Sequence, residues 1–88
     1  MPQILVTIGS RSGLHARPAS LFVKAAASQP VKVTVGRPGQ PPVDARSLLS
    51  VLSLAAQHGQ TLELAAEGEQ AQSALDELAL LLSQDLDA

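Results

Sequence analysis

The sequence contains no cysteine, and Phe22 is its only Phe, Tyr or Trp residue. Without cysteine there can be no disulfide and no thiolate metal site, which fits a reducing compartment. With a single aromatic ring, the core must be built from Ala, Val, Ile and Leu, within a hydrophobic fraction of 45%. The chain is therefore expected to hold its fold by aliphatic packing alone.

Long apolar runs and an excess of basic charge are also missing. No run approaches the 18 or more residues of a membrane span, and the start of the chain lacks the pattern of a secretory signal. Six basic and eight acidic residues give a net charge of -2, which offers no electrostatic reason to bind nucleic acid. We expect one domain over residues 1–88, in the cytoplasm, with neither a membrane nor a nucleic acid as its partner.

Hydrophobic periodicity predicts four strands and three helices. Alternating apolar residues place strands at 3–8, 31–35 and 62–67, and a short edge strand ends near Val43, after two prolines. Apolar residues at helical spacing place helices at 16–27, from 48 to an end between 54 and 59, and at 71–82. The order β-α-β-β-α-β-α predicts an α+β fold, an open-faced two-layer sandwich of helices on one face of an antiparallel sheet.

The segment from Gly13 to Ala19 is the most informative part of the chain. Pro18 is tolerated only in the first turn of a helix, so the helix begins at about residue 16 and His15 occupies the N-cap position. The first-turn amides of Ala16 and Arg17 are expected to point towards the imidazole, and Arg17 adds a fixed positive charge. Together they predict an anion site at a helix N-terminus.

A histidine in such a site can carry a phosphoryl group. The positive surroundings favour the neutral, nucleophilic ring before transfer and can donate hydrogen bonds to phosphate oxygens afterwards. A lone histidine at a helix start is most often structural, but its combination with a glycine, an arginine and a proline favours the functional interpretation. His58 has no such neighbours in sequence and is expected to be exposed.

The sequence Gly-Leu-His-Ala-Arg-Pro-Ala-Ser at residues 13–20, followed by Leu-Phe-Val, resembles the active-site signature of HPr, the histidine phosphocarrier of the bacterial phosphotransferase system. The resemblance extends over essentially the whole chain and includes residues 45–48, 53–54 and 64–68. It implies a four-stranded antiparallel sheet in the order 1-4-2-3 with three helices on one side.

The resemblance also implies a mechanism. Enzyme I, loaded from phosphoenolpyruvate, would phosphorylate Nδ1 of His15 to give a pros-phosphohistidine, which then passes the group to enzyme II A-type domains for sugar uptake. Arg17 would be the second catalytic residue, and no metal or cofactor would be needed. We expect a monomer that is not a stand-alone enzyme. The implied phosphate-binding residues are Ser12, Ala16 and Arg17, and the implied docking residues are Ser20, Leu48, Leu49 and Leu52. Since a short helix cannot bury all its apolar residues, one or two of these leucines should be exposed.

Ser47 has two interpretations that the sequence leaves open. It matches the serine that an HPr kinase/phosphorylase modifies in some members, which would also imply a transcriptional regulator as a partner. It is equally a normal helix N-cap. Among the departures from the family pattern, Ala55 and Ser50 stand where glycine is frequent, and Arg46 stands where lysine is usual.

Three alternative functions remain to be weighed against a sugar phosphocarrier. The same site would serve a nitrogen-related or dihydroxyacetone-kinase phosphorelay, in which only the partners differ. A regulatory binding module without phosphotransfer is disfavoured by the presence of His15. A small hydrolase is disfavoured because no nucleophile with an orienting acid lies beside that histidine in sequence. The sequence names neither the sugar nor the acceptor protein.

Overall fold

The computed structural model describes residues 2–84 and contains seven elements in the predicted order. They are β1 (Gln3–Thr7), α1 (Ala16–Ala27), β2 (Val33–Gly36), β3 (Val43–Asp44), α2 (Leu48–Ser53), β4 (Thr61–Ala66) and α3 (Ala71–Ser83). The prediction of a strand from residue 31 was too early. Val33 pairs with Ala66, where β4 ends, so the residues before Val33 have no strand to pair with.

The four strands form one antiparallel sheet in the order β1-β4-β2-β3, as expected. Leu64 of β4 lies opposite Ile4 of β1 on one side and Val35 of β2 on the other. Strand β3 has two residues and lies at the sheet edge, because the prolines that precede it lack the amide hydrogen that a longer ladder needs.

The core lies between the inner face of the sheet and the helices, and it is aliphatic apart from Phe22, which is fully buried. Alternate residues of β4 are buried, as period-two patterning predicts. The buried stripes of α1 and α3 follow helical spacing. These stripes comprise Pro18, Ala19, Phe22 and Ala26 of α1 and Ala71, Ala74, Leu75, Leu78, Ala79 and Leu82 of α3.

The connection between β1 and α1 is fixed at several points and places His15 beside the end of α2. The Gly9 amide donates to the Leu82 carbonyl at 2.9 Å, and the Leu14 amide donates to the Ala56 carbonyl at 2.8 Å. Ser10 of this predicted loop is buried, with only 2% of its surface exposed.

Between residues 2 and 84, no helix combines the length and apolarity that a membrane crossing requires.

Candidate functional site

His15 occupies the N-cap of α1, as the position of Pro18 predicted. Its backbone is extended, with φ −86° and ψ −169°, and its side chain makes no capping hydrogen bond. An ordinary N-cap residue uses its side-chain oxygen to accept from the first-turn amides. Here the side chain is exposed, so the imidazole is accessible from solvent and is not used in holding the helix.

Two amides at the start of α1 are available to a ligand. Pro18 has no amide hydrogen, and the Ala19 amide donates to the His15 carbonyl at 2.7 Å. The amides of Ala16 and Arg17 have no hydrogen-bond partner among the described residues. Because these two donors lie at the positive end of the helix, they are suited to an anion bound to the preceding side chain.

Arg17 adds a full positive charge to this helix start. Its side chain is exposed, and it makes no ion pair or hydrogen bond within residues 2–84. Ser12 is also exposed and lies in the tight turn closed by the hydrogen bond from the Gly13 amide to the Ser10 carbonyl, 3.0 Å long. The predicted phosphate-binding residues thus lie before and after His15 in the sequence, and each of them is exposed.

Gly13 is required by a close approach of two chain segments. Its φ is +78°, a region that residues with a side chain rarely adopt. A Cβ atom there would lie 2.6 Å from the Ala56 carbonyl oxygen and 2.9 Å from the Gln57 Cα atom. The segment before His15 can therefore pack on residues 56–57 only if position 13 has no side chain.

A cavity of about 170 Å³ adjoins the imidazole. Its lining consists of Leu14, His15, Leu52, Ala55, Ala56 and Gln57. One wall comes from the approach to α1 and the other from the end of α2 and the loop that follows it. Leu52 lines this cavity together with His15, and it also packs against the core. This predicted docking residue therefore has a structural role as well.

The start of α2 is capped by Ser47, whose Oγ accepts from the Ser50 amide at 3.3 Å. Just before it, Asp44 accepts hydrogen bonds from the Arg46 amide, at 2.9 Å, and from the Arg46 guanidinium. These hydrogen bonds, the backbone one first, lower the pKa of the Asp44 carboxyl from its ordinary value. The hydrogen bond from the Ser50 amide to the Ser47 hydroxyl shows that Ser47 is the N-cap of α2.

The apolar face of α2 is partly open to solvent, as its short length predicted. Leu49 is 81% exposed and Leu48 is 40% exposed. Ser20 is exposed on α1, one helical turn beyond Ala16. Because α1 and α2 pack against each other, these side chains belong to two neighbouring elements next to His15.

A family model described as the phosphorylation site of the PTS HPr component matches residues 3–84. The chain belongs to the HPr family. It is 45% identical over 87 residues to the phosphocarrier protein HPr of Streptomyces coelicolor, covering 99% of this chain and 94% of that relative. It is 42% identical over 87 residues to the phosphocarrier protein HPr of Pseudomonas aeruginosa, covering 99% of this chain and 97% of that relative.

The fold agrees with this membership. The crystal structure of an HPr from Thermoanaerobacter tengcongensis matches with a TM-score of 0.89 and 31% identity, covering 100% of this chain and 98% of that one. The general role of an HPr, a phosphocarrier of the phosphotransferase system, therefore applies to this chain. No group of three or more His, Asp or Glu side chains suited to a metal ion occurs among the residues that the structure describes.

Some residues around this candidate site were not predicted from the sequence. Leu21 is 40% exposed on α1, next to the predicted docking residue Ser20. His58 is exposed, as expected, but its Nδ1 also lies 3.2 Å from the Ser10 carbonyl oxygen in the loop that leads to His15. The Arg37 guanidinium donates to the Leu54 carbonyl at the end of α2. The two residues are 17 positions apart, and the sequence pattern gives no signal of this contact.

Proposed function

We propose that this chain accepts a phosphoryl group on Nδ1 of His15 from enzyme I and delivers it to enzyme II A-type domains. One observation supports this above all. The exposed imidazole makes no capping hydrogen bond and lies at a helix start where the amides of Ala16 and Arg17 have no partner among the described residues. A structural histidine at this position would normally be packed or hydrogen-bonded.

The chemistry needs only the histidine and its surroundings. The Nδ1 lone pair attacks phosphorus, the bond between phosphorus and the donor breaks, and its electron pair leaves with the donor. The new phosphoryl oxygens accept hydrogen bonds from the Ala16 and Arg17 amides, with the Arg17 guanidinium and the Ser12 hydroxyl beside them. Delivery to the acceptor reverses the same steps. Each helix-end contact stabilises the phosphorylated form by only about 1 kcal/mol, which suits reversible transfer.

The proposed docking surface consists of Ser20, Leu48, Leu49 and Leu52. Leu49 has the most exposed side chain of the three leucines and is the natural anchor for an apolar pocket on a partner. The position of Leu52 on the cavity wall joins this surface to the histidine. The same surface would serve enzyme I and the acceptor in turn, with the chain acting as a monomer in the cytoplasm.

Incubation with enzyme I and phosphoenolpyruvate tests this function. We expect one added phosphate by mass, labile in acid and stable in base, which is the behaviour of a phosphohistidine. His15→Ala should abolish the label, whereas His58→Ala, which removes the other histidine, should keep it. A label retained in His15→Ala, or lost only in His58→Ala, contradicts the proposal. Labelling only by a nitrogen-related enzyme I or a dihydroxyacetone-kinase component would keep His15 as the acceptor and reassign the relay.

We also propose that Ser47 is a regulatory phosphorylation site. Its half-buried hydroxyl caps α2 directly before Leu48 and Leu49, so a phosphate there would place about two negative charges beside the docking leucines. Phosphorylation should therefore slow transfer from enzyme I. Incubation with an HPr kinase and ATP should give an acid-stable phosphate that Ser47→Ala removes, with Ser53→Ala as the matched control. Failure of several such kinases to label the chain would leave Ser47 as a helix cap alone.

A further inference from the structure

Arg37 links the end of strand β2 to the end of helix α2. It follows Gly36, the last residue of β2, and begins the turn closed by the hydrogen bond from the Gln40 amide to the Arg37 carbonyl. Its Nη2 donates to the Leu54 carbonyl at 2.9 Å and to the Ala55 carbonyl at 3.3 Å. A half-buried guanidinium thus binds two consecutive carbonyls at the C-terminal end of a helix, where a positive charge is favoured.

The end of α2 is a place where such a contact matters. The helix has six residues and is too short to be stable without tertiary contacts. Ala55, which follows it, has a φ of +50° and is the only non-glycine residue with positive φ among the described residues. This conformation is unfavourable for alanine. Arg37 donates to the carbonyl of this same residue. It therefore stabilises the backbone at the position whose conformation is unfavourable for alanine.

The loop held by Arg37 forms a wall of the histidine site. Ala55 and Ala56 line the cavity beside His15, and the Ala56 carbonyl accepts from the Leu14 amide at 2.8 Å. From the guanidinium to the histidine, the connection therefore runs through Ala55, Ala56 and Leu14 and consists of hydrogen bonds and peptide bonds only. A shift of the loop would move the residue that directly precedes His15.

We infer that Arg37 is a positioning residue for phosphoryl transfer, which acts by holding the loop after α2 against the segment that presents His15. The kinetic part of this inference rests on the function proposed above, whereas the structural part can be tested without any partner. Arg37 contacts the C-terminal end of α2, and the exposed docking leucines lie in its first turn. Loss of the Arg37 side chain should therefore lower kcat more than it weakens the binding of a partner.

The primary variant is Arg37→Ala. Its phosphorylation by enzyme I is measured at a temperature well below the unfolding temperature of the variant. We expect kcat to fall roughly tenfold, because small misplacements of a reacting group have effects of this order, with little change in KM. Arg37→Lys, which keeps a donor and the charge, should recover part of the loss. Arg46→Ala removes an arginine whose side chain bonds only Asp44 within residues 2–84, and it should leave kcat unchanged. An unchanged kcat, or a raised KM with kcat intact, in Arg37→Ala would overturn the inference.

A second background isolates the role of the loop. Glycine adopts the conformation of residue 55 without a side-chain penalty. The kcat loss caused by Arg37→Ala should therefore be smaller when Ala55→Gly is also present. Equal losses in both backgrounds would show that Arg37 does not act through this loop.

Amide hydrogen exchange separates this inference from the proposed function. In the unphosphorylated protein, exchange of the Leu14 amide should be roughly tenfold faster in Arg37→Ala, since its acceptor at Ala56 is no longer held in place. The Leu64 amide in the central strand serves as the reference for global stability. Faster exchange at Leu14 supports the positioning role even if no enzyme I labels the chain. Equal acceleration at both amides would indicate general destabilisation and refute the role.

Discussion

Gly13→Ala is expected to lower the stability of the fold and to disturb the segment that presents His15. A left-handed backbone costs about 1–2 kcal/mol for a residue with a side chain. The new Cβ would lie 2.6 Å from the Ala56 carbonyl oxygen, so the segments must separate and the 2.8 Å hydrogen bond from Leu14 to Ala56 is lost. That bond contributes roughly 1 kcal/mol net. The total is about 2–3 kcal/mol, a large part of the stability of a small domain.

Thermal unfolding followed by circular dichroism or calorimetry measures this effect. One kcal/mol lowers the Tm of a domain this size by about 4–8 °C, so Gly13→Ala should lower it by roughly 8–24 °C. Gly39→Ala is the matched control. Its φ is +80°, almost the same as at Gly13, but an added Cβ would meet nothing within 4 Å. It should show only the backbone cost and should leave transfer to His15 unchanged. Equal losses of stability in the two variants would refute the argument that close packing, rather than φ alone, requires glycine at position 13.

Four further predictions concern charge, docking, the core and pH. Arg17→Ala should slow phosphorylation by enzyme I by roughly tenfold, equivalent to about 1.4 kcal/mol, with an unchanged Tm; an unchanged rate contradicts its role. Leu49→Ala, at an 81% exposed residue, should change the free energy of unfolding by less than about 0.5 kcal/mol but raise the KM for enzyme I. Phe22→Ala should destabilise by about 3–5 kcal/mol in denaturant titrations, since the ring is fully buried. The pKa of Asp44 is lowered in the folded state, so its carboxylate contributes to stability above the ordinary pKa of 3.8. This contribution is lost as the pH falls through the pKa of the folded state. Asp44→Asn should therefore reduce the dependence of the free energy of unfolding on pH in that acidic range.

The fold was predictable because local patterns and global topology agree. Proline at positions 18, 41 and 42 restricted the start of α1 and the length of β3, and both restrictions hold in the structure. Periodicity gave the number and type of elements, but not where strand pairing stops. The start of β2 is set by the end of its partner β4 at Ala66, a property of the pair that neither segment shows alone.

The site was predictable where it is local in sequence and not where it is formed by distant segments. His15, its N-cap position and the two available amides all lie within the first turn of one helix. The wall formed by Ala56 and Gln57 is more than 40 positions from His15 along the chain, and it is identified only by contacts that the fold creates, such as the close approach to Gly13 and the hydrogen bond from the Leu14 amide. The sequence shows alanine at position 55, where the resemblance makes glycine frequent, but it does not show the contact from Arg37 to the Ala55 carbonyl.

On the proposed role, the helix start offers amide donors to a phosphoryl group without enclosing it. A first helical turn normally offers three amides beyond the cap, but here the third position is Pro18, which has none. A phosphoryl group has three terminal oxygens, so two amides leave part of the anion for Arg17, for solvent or for a partner. An exposed ring with two backbone donors therefore suits a group that must be accepted and released again. Pro18→Ala would restore a third donor. On the proposed role it should prolong the lifetime of the phosphohistidine and slow its delivery to an acceptor domain, and an unchanged delivery rate would show that the number of amides does not limit release.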